Sequence, residues 1–254
     1  MNRIFHGLAV AALLSGCSAM PQHESPVAVH GAAHWGYTGE TGPAHWASLK
    51  PEFATCGSGK NQSPIDLTGF IEAELQPIAF NYGTVATEVV NNGHTIQANY
   101  QPGSTITVDG HSFELKQFHF HSPSENTIDG ESFPLEAHLV HADKDGNLAV
   151  VAVMFREGEA NPALAKLWQA MPEKAGDKAG LGDGVSVNGI LPASRDYYRF
   201  NGSLTTPPCT EGVEWLVLKS PMTVSAEQVH RFSHVMHHPN NRPVQPVNAR
   251  PVLK

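Results

Sequence analysis

The sequence predicts a mainly β fold of α+β class, in a single domain. Three observations carry this. From residue 75 onward, short runs of alternating or apolar residues are separated by glycine, asparagine and aspartate turns. Only two segments have the caps and composition of substantial helices. No linker divides the chain after residue 34, and 254 residues suffice for one large domain. The composition is that of a core-forming protein, 41% apolar and 16% charged, and the 23 glycines and 19 prolines suit a strand-and-turn architecture. The formal charge of −8 argues against nucleic acid as a partner, which would call for a basic face.

The first residues read as an address. Arg3 precedes an apolar run from Leu8 to Leu14, which is too short to span a bilayer and has signal-peptide form. Leu14-Ser15-Gly16-Cys17 resembles a bacterial lipobox. That implies a signal over residues 1–16, cleavage before Cys17 and lipid on its sulfur; an ordinary secretory signal is the alternative. Residues 17–33 lack periodicity and read as a flexible tether, leaving 34–254 as the globular domain. The compartment is then the periplasm. Ser18 lacks the aspartate associated with inner-membrane retention, so a lipid anchor at Cys17 would sit in the outer membrane. Setting Cys17 aside leaves Cys56 and Cys209, an even pair that reads as a disulfide in an oxidising compartment. Two buried free thiols are the alternative. A bond closing so long a loop stabilises by about 3–5 kcal/mol in the chain-entropy model.

In chain order, His34-Trp35-Gly36-Tyr37 opens the globular part, followed by His45-Trp46 and Phe53. Asn61–Asp66 is a polar loop entering a short strand, with Pro64 holding Ser63 extended. Strands are expected over Ile78–Tyr82 and Thr87–Asn91, then over His94–Ala98 after the turn Asn91-Asn92-Gly93. Thr105–Val108 and His111–Phe120 flank the hairpin signal Asp109-Gly110. Pro134–His141 and Leu148–Phe155 come next; the second is nearly all apolar, as a strand buried on both faces should be. Asn161 is a candidate N-cap with Pro162 at the first helical position, and Ala163–Met171 continues the helix. Residues 173–189, rich in Gly, Lys and Asp, read as a surface loop. Ser225-Ala226-Glu227-Gln228 has capping-box form and opens a helix to about Met236.

The chemistry concentrates in two strands, Gln117-Phe118-His119-Phe120-His121 and Leu135-Glu136-Ala137-His138-Leu139-Val140. Side chains two apart share a strand face, so His119 and His121 point together. If the strands are neighbours, His138 joins them, and three imidazoles with an open fourth position suit a catalytic zinc. Gln117 and Glu136 each lie two residues before a ligand, on its face, where they can orient it. His119-Phe120-His121-Ser122-Pro123-Ser124-Glu125 also has a cupin-like form that would make Glu125 a ligand. But Phe113 stands where that pattern wants glycine, and no second cupin motif follows. His230 and His234 are spaced i, i+4, but Arg-Phe-Ser separates them where a zinc protease carries a glutamate beside the first histidine. These helical histidines read as a solvated face.

With these residues in hand, the chain resembles the α-class carbonic anhydrases. The landmarks, in the family's order, are His34-Trp35-Gly36-Tyr37, Gln62-Ser63-Pro64-Ile65, Asn91-Asn92-Gly93-His94, the two histidine strands with Glu125 between them, Gly202-Ser203-Leu204-Thr205-Thr206-Pro207-Pro208-Cys209 and Asn241-Arg242-Pro243-Val244-Gln245-Pro246. The resemblance implies a large, twisted, mostly antiparallel central sheet with peripheral helices and a zinc site on the sheet. It implies one Zn2+ on His119, His121 and His138, and reversible hydration of CO2 to bicarbonate and a proton by attack of a zinc hydroxide. Thr205 matches the gatekeeper that orients the hydroxide, and Glu125 the carboxylate behind it. Thr206 matches a bicarbonate contact, and Val140, Val150, Leu204 and Trp215 the apolar wall for CO2. His94 matches the proton shuttle, with Tyr37 and Asn92 ordering the water between. The family pairing also joins Cys56 to Cys209. Sulfonamides or anions are the implied inhibitors at zinc, and the chain is expected as a monomer or homodimer whose only membrane contact is the N-terminal lipid. A non-catalytic relative would usually lack a ligand; here all three histidines, Thr205 and Glu125 are present.

Overall fold

The computed structural model describes Met1 and residues 34–254; the signal, the tether and Cys17 lie outside the described residues. In chain order the strands are β1 (Asp66–Leu67), β2 (Ala79–Asn81), β3 (Ala86–Asn91), β4 (Ile96–Tyr100), β5 (Thr105–Val108), β6 (His111–His121), β7 (Thr127–Ile128), β8 (Leu135–Ala142), β9 (Leu148–Glu157), β10 (Lys178–Val185), β11 (Tyr197–Ser203), β12 (Glu211–Leu218) and β13 (Met222–Val224). The helices are α1 (Trp46–Leu49), α2 (Thr55–Ser58), α3 (Pro162–Gln169) and α4 (Ala226–Met236).

An 11-stranded sheet takes all strands but β1 and β7, in the order β10-β3-β4-β6-β8-β9-β12-β11. Strand β5 pairs with the first half of β6 and carries β2 beyond it, while β4 pairs with the second half. Within this sheet only β9 with β12 and β9 with β13 are parallel, so the mainly β, mostly antiparallel expectation holds. Strands β1 and β7 form a separate parallel pair.

The two faces of the sheet have different work. One face buries Phe118 and Phe120 of β6, Leu135, Ala137 and Leu139 of β8, and Val151 and Val153 of β9 against Leu164, Leu167 and Trp168 of α3 and Phe232 of α4. The other buries Val150, Ala152, Met154, Phe200, Val213 and Trp215. Strand β9 contributes to both cores, which is why its sequence is apolar without alternation. The Asn161 side chain caps α3 by accepting from the amides of Ala163 and Leu164, and Ser225 and Gln228 form the capping box of α4. His237, at φ 63°, ends α4 in the left-handed region.

One expectation is corrected. Residues 173–189 are not all loop: Lys178–Val185 is the edge strand β10 on β3, and Val187–Ile190 is a short 3-10 helix. Gly180, Gly182 and Gly184 hide the strand in sequence, and its register shifts between Gly180 and Val185. Strands β7, β11, β12 and β13 and the short helices α1 and α2 had no sequence assignment either. The remaining elements fall within a few residues of their expected bounds.

Candidate metal centre

The site begins with an irregularity in β6. Phe113 and Leu115 face the helix-covered core, and so do Phe118 and Phe120, although the two pairs have opposite parity. The change occurs at a register shift between Leu115 and Gln117 against β8, where Lys116 is the extra residue. Because side chains alternate, one inserted residue turns everything after it to the other face. The shift thus places Gln117, His119 and His121 on the face opposite the aromatic core. On β8, Glu136, His138 and Val140 share that face, and the register sets His119 opposite His138 and His121 opposite Glu136.

The three rings converge, with centroids 4.6–5.4 Å apart. One ligand atom from each lies within 4.8 Å of the others. Every ring is anchored through its other nitrogen. His119 Nδ1 pairs with Gln117 Oε1 at 2.8 Å, His121 Nδ1 donates to the Asn240 carbonyl at 2.7 Å, and His138 Nε2 donates to Glu136 Oε1 at 2.9 Å. The free nitrogens are therefore His119 Nε2, His121 Nε2 and His138 Nδ1. His121 Nε2 is buried without a hydrogen-bond partner, a costly arrangement unless a ligand takes it. Burial holds His119 well below the usual imidazole range, helped by His121 and His138. Burial also lowers His121 against the opposing pull of the Asn240 carbonyl and Glu136. Both rings are neutral near pH 7, the form that ligates metal. The donor set fits zinc.

The two carboxylates beside the triad have opposite environments. Burial pushes Glu136 up, but His138 and the Asn126 amide outweigh it and hold the carboxyl below its ordinary value. Its oxygens also accept from the backbone amides of Glu125 and Asn126. Glu125 is pushed up to about 7 by burial, which His138, the Arg242 amide and the Thr205 hydroxyl only partly oppose. Its Oε1 accepts from the Arg242 amide at 2.8 Å, and its Oε2 stands 3.5 Å from His121 Nε2 and 3.9 Å from His138 Nδ1.

Thr205 stands on the loop after β11, and that loop is held from several sides. Leu204 N donates to the Thr210 carbonyl and Cys209 N to the Thr206 carbonyl. Cys209 is disulfide-bonded to Cys56, as the cysteine pairing implied. Ser63 and Ser203 exchange hydrogen bonds between backbone amide and side-chain hydroxyl. Gly202 must be glycine here, since a Cβ would come within 3.0 Å of Trp215 and Phe200 side-chain atoms.

A cleft of about 140 Å³ opens onto the triad. It is lined by Tyr37, Asn92, His94, Gln117, His119, His121 and Thr206, together with Trp35, Thr95 and Gln97, which sequence reading had not placed there. His94 stacks on Trp35 with centroids 3.6 Å apart, and His34 lies 4.9 Å from it. Burial, then His34 and His238, lower His94 to about 4. The Asn92 side-chain oxygen, Oδ1, accepts from the backbone amides of His94 and Thr95, which fixes the turn. Val150 and Trp215 are buried in the second core, with Val140 and Leu204 packed against it, and the Trp215 ring stands 4.9 Å from that of His138. These four apolar residues thus pack together beside the His138 ring.

Two supporting residues escaped the sequence reading. Asn240 anchors His121 through its carbonyl, while its side chain bonds the amide of Ser122 and the carbonyls of Phe120 and His94. Arg242 is 2% exposed. Its guanidinium donates to the carbonyls of Cys56 and Ser63 and to Gln62 Oε1. The motif around residues 241–246 was visible, but nothing local announced either role.

Comparison with known proteins agrees with this geometry. The family model for eukaryotic-type carbonic anhydrase matches residues 41–254. A carbonic anhydrase from Pectobacterium carotovorum is 48% identical over 246 residues, covering 97% of this chain and 98% of that protein. One from Klebsiella pneumoniae is 50% identical over 231 residues, covering 90% and 94%. Among solved structures, the α-carbonic anhydrase of Thermovibrio ammonificans in complex with sulfanilamide superposes with a TM-score of 0.86 at 52% identity, covering 88% of this chain and all of that one.

Proposed function

Because the chain belongs to the eukaryotic-type, α-class carbonic anhydrase family, we propose that it is a zinc enzyme hydrating CO2 reversibly to bicarbonate and a proton, with the residue roles below. The observation that carries the proposal is the triad itself: three imidazoles, each anchored through one nitrogen, turn the other toward a common point. His119, His121 and His138 would hold Zn2+, which when bound lowers the pKa of water to about 7.

The protein's own residues then aim and supply the reaction. Thr205 donates its hydroxyl proton to Glu125 and is left to accept from the attacking water, fixing where that water's lone pair points. Glu125 is kept in place by the Arg242 amide and acts as a positioning residue. CO2 has no charge, and the wall of Val140, Val150, Leu204 and Trp215 gives it an apolar seat. Thr206, on the cleft, contacts the bicarbonate product. His94 passes the released proton outward, with Tyr37 and Asn92 ordering water along the cleft. Sulfonamides, such as the one bound by the Thermovibrio ammonificans relative, would compete at the triad.

We extend the proposal to the leader. Residues 1–16 direct export, Cys17 carries a lipid anchor in the outer membrane, residues 17–33 tether the domain, and the catalytic domain of 34–254 works in the periplasm. The Cys56–Cys209 disulfide supports an oxidising compartment.

Stopped-flow CO2 hydration by zinc-loaded protein is the test, with a sulfonamide as control. A rate no higher than buffer, insensitive to sulfonamide, refutes the reading. Glu125→Gln should keep its zinc and lose most of its activity; loss of metal from that variant would make Glu125 a ligand instead. Mass spectrometry of the mature N-terminus checks Cys17.

A further inference from the structure

Three histidines of α4 and its cap have no part in the site above. Residues three, four and seven apart share a helix face. Glu227, His230 and His234 therefore form a stripe, which His237 extends at the helix end. All four are exposed. The rings of His230 and His234 lie 6.3 Å apart and nearly parallel, at 19°, and those of His234 and His237 lie 6.2 Å apart. Among the described residues, none of these three rings makes a hydrogen bond, so the fold gives them no structural task.

Two histidines at i, i+4 on a helix are a spacing that a single zinc accepts from both. Arg231 follows His230 where a hydrolytic site would carry glutamate, so the stripe can bind but has no base of that kind. The rings stand farther apart than the 4.6–5.4 Å of the triad. They are exposed, and rotation of side chains in water is enough to close the gap. Imidazole donors select zinc, copper or nickel over magnesium or calcium. From this arrangement we propose that His230 and His234, flanked by Glu227 and His237, form a second metal site on the surface of α4 for a divalent late transition ion. The site is separate from the triad, which lies beneath the cleft on the opposite face of the sheet from α4.

The test is a titration of the mature, zinc-loaded enzyme with Cu(II), read by calorimetry and electron paramagnetic resonance, while CO2 hydration monitors the zinc already in place. The expected result is one further equivalent bound per chain, with an axial spectrum carrying nitrogen hyperfine structure from imidazole. His234→Ala, which removes the residue common to both ring pairs, should lose that equivalent and its spectrum with the hydration rate unchanged, and His234→Gln should do the same. If the wild type takes up no further equivalent, the proposal is overturned. It is equally overturned if His234→Ala binds Cu(II) with the wild-type stoichiometry and spectrum, which would place the ion on histidines elsewhere.

Discussion

His94 lies between two aromatic rings, and this position sets its chemistry. Stacked on Trp35 and beside His34, it is lowered to about 4, chiefly by burial, and is a weak proton acceptor there. Trp35→Ala, which opens the ring to water, should raise the His94 midpoint from about 4 toward the ordinary 6.5, as followed by imidazole NMR. His94→Ala should slow turnover in dilute buffer and be rescued by added imidazole; normal turnover in dilute buffer would remove His94 from the proton path. The ligands and their anchors Gln117 and Glu136 were legible in sequence because each anchor lies two residues from its histidine. The anchor of His121 was not, because Asn240 is 119 residues distant in the chain.

At the scale of elements, the register shift in β6 matters more than the strand's length. A reading of His111–Phe120 as one regular strand finds the right residues but not the change of parity. The signal was present in the apolar positions, 113 and 115 before the shift and 118 and 120 after it. Because Lys116 is the unpaired extra residue, deleting it should leave a regular strand with Leu115, Phe118 and Phe120 still in the core and His119 and His121 still on the site face. Retention of zinc, measured by elemental analysis, is the expected outcome; loss of the metal would mean that Lys116 is not the residue that absorbs the change of parity. The two main helices were legible because capping is local. Asn161 also exchanges backbone–side-chain hydrogen bonds with Gln228, joining the two helix starts. Asn161→Ala keeps those backbone contacts but removes the side-chain acceptor of the Ala163 and Leu164 amides, which should cost about 1–2 kcal/mol, read from the midpoint of chemical denaturation. Strand β10 was illegible for the opposite reason: its glycines carry turn signals, and only pairing with β3 makes it a strand.

At the scale of the whole molecule, the disulfide joins residues 153 positions apart. Reduction should lower stability by about 3–5 kcal/mol and loosen the Thr205 loop, so activity should fall under reductant before global unfolding does. Acid acts through a different group. His141 is lowered to about 4 by burial, although its ring bonds Tyr82 and the Ala149 carbonyl. Above pH 6.5 it is neutral whether folded or not; between 6.5 and about 4 only the unfolded chain takes the proton, so stability falls as pH drops through that window. His141→Gln should flatten the decline by up to about 1.4 kcal/mol per pH unit, measured as the difference between the two proteins' denaturation curves. The Asn240 and Arg242 contacts also bear on how the enzyme is made. A ribosome releases His119, His121, Glu125 and His138 more than a hundred residues before the segment that anchors His121 and Glu125. A nascent chain thus carries all three histidines of the triad before the supports of His121 and Glu125 exist, and the finished geometry forms only once translation has passed residue 242. Whatever depends on that finished geometry belongs to maturation of the completed chain and not to its synthesis.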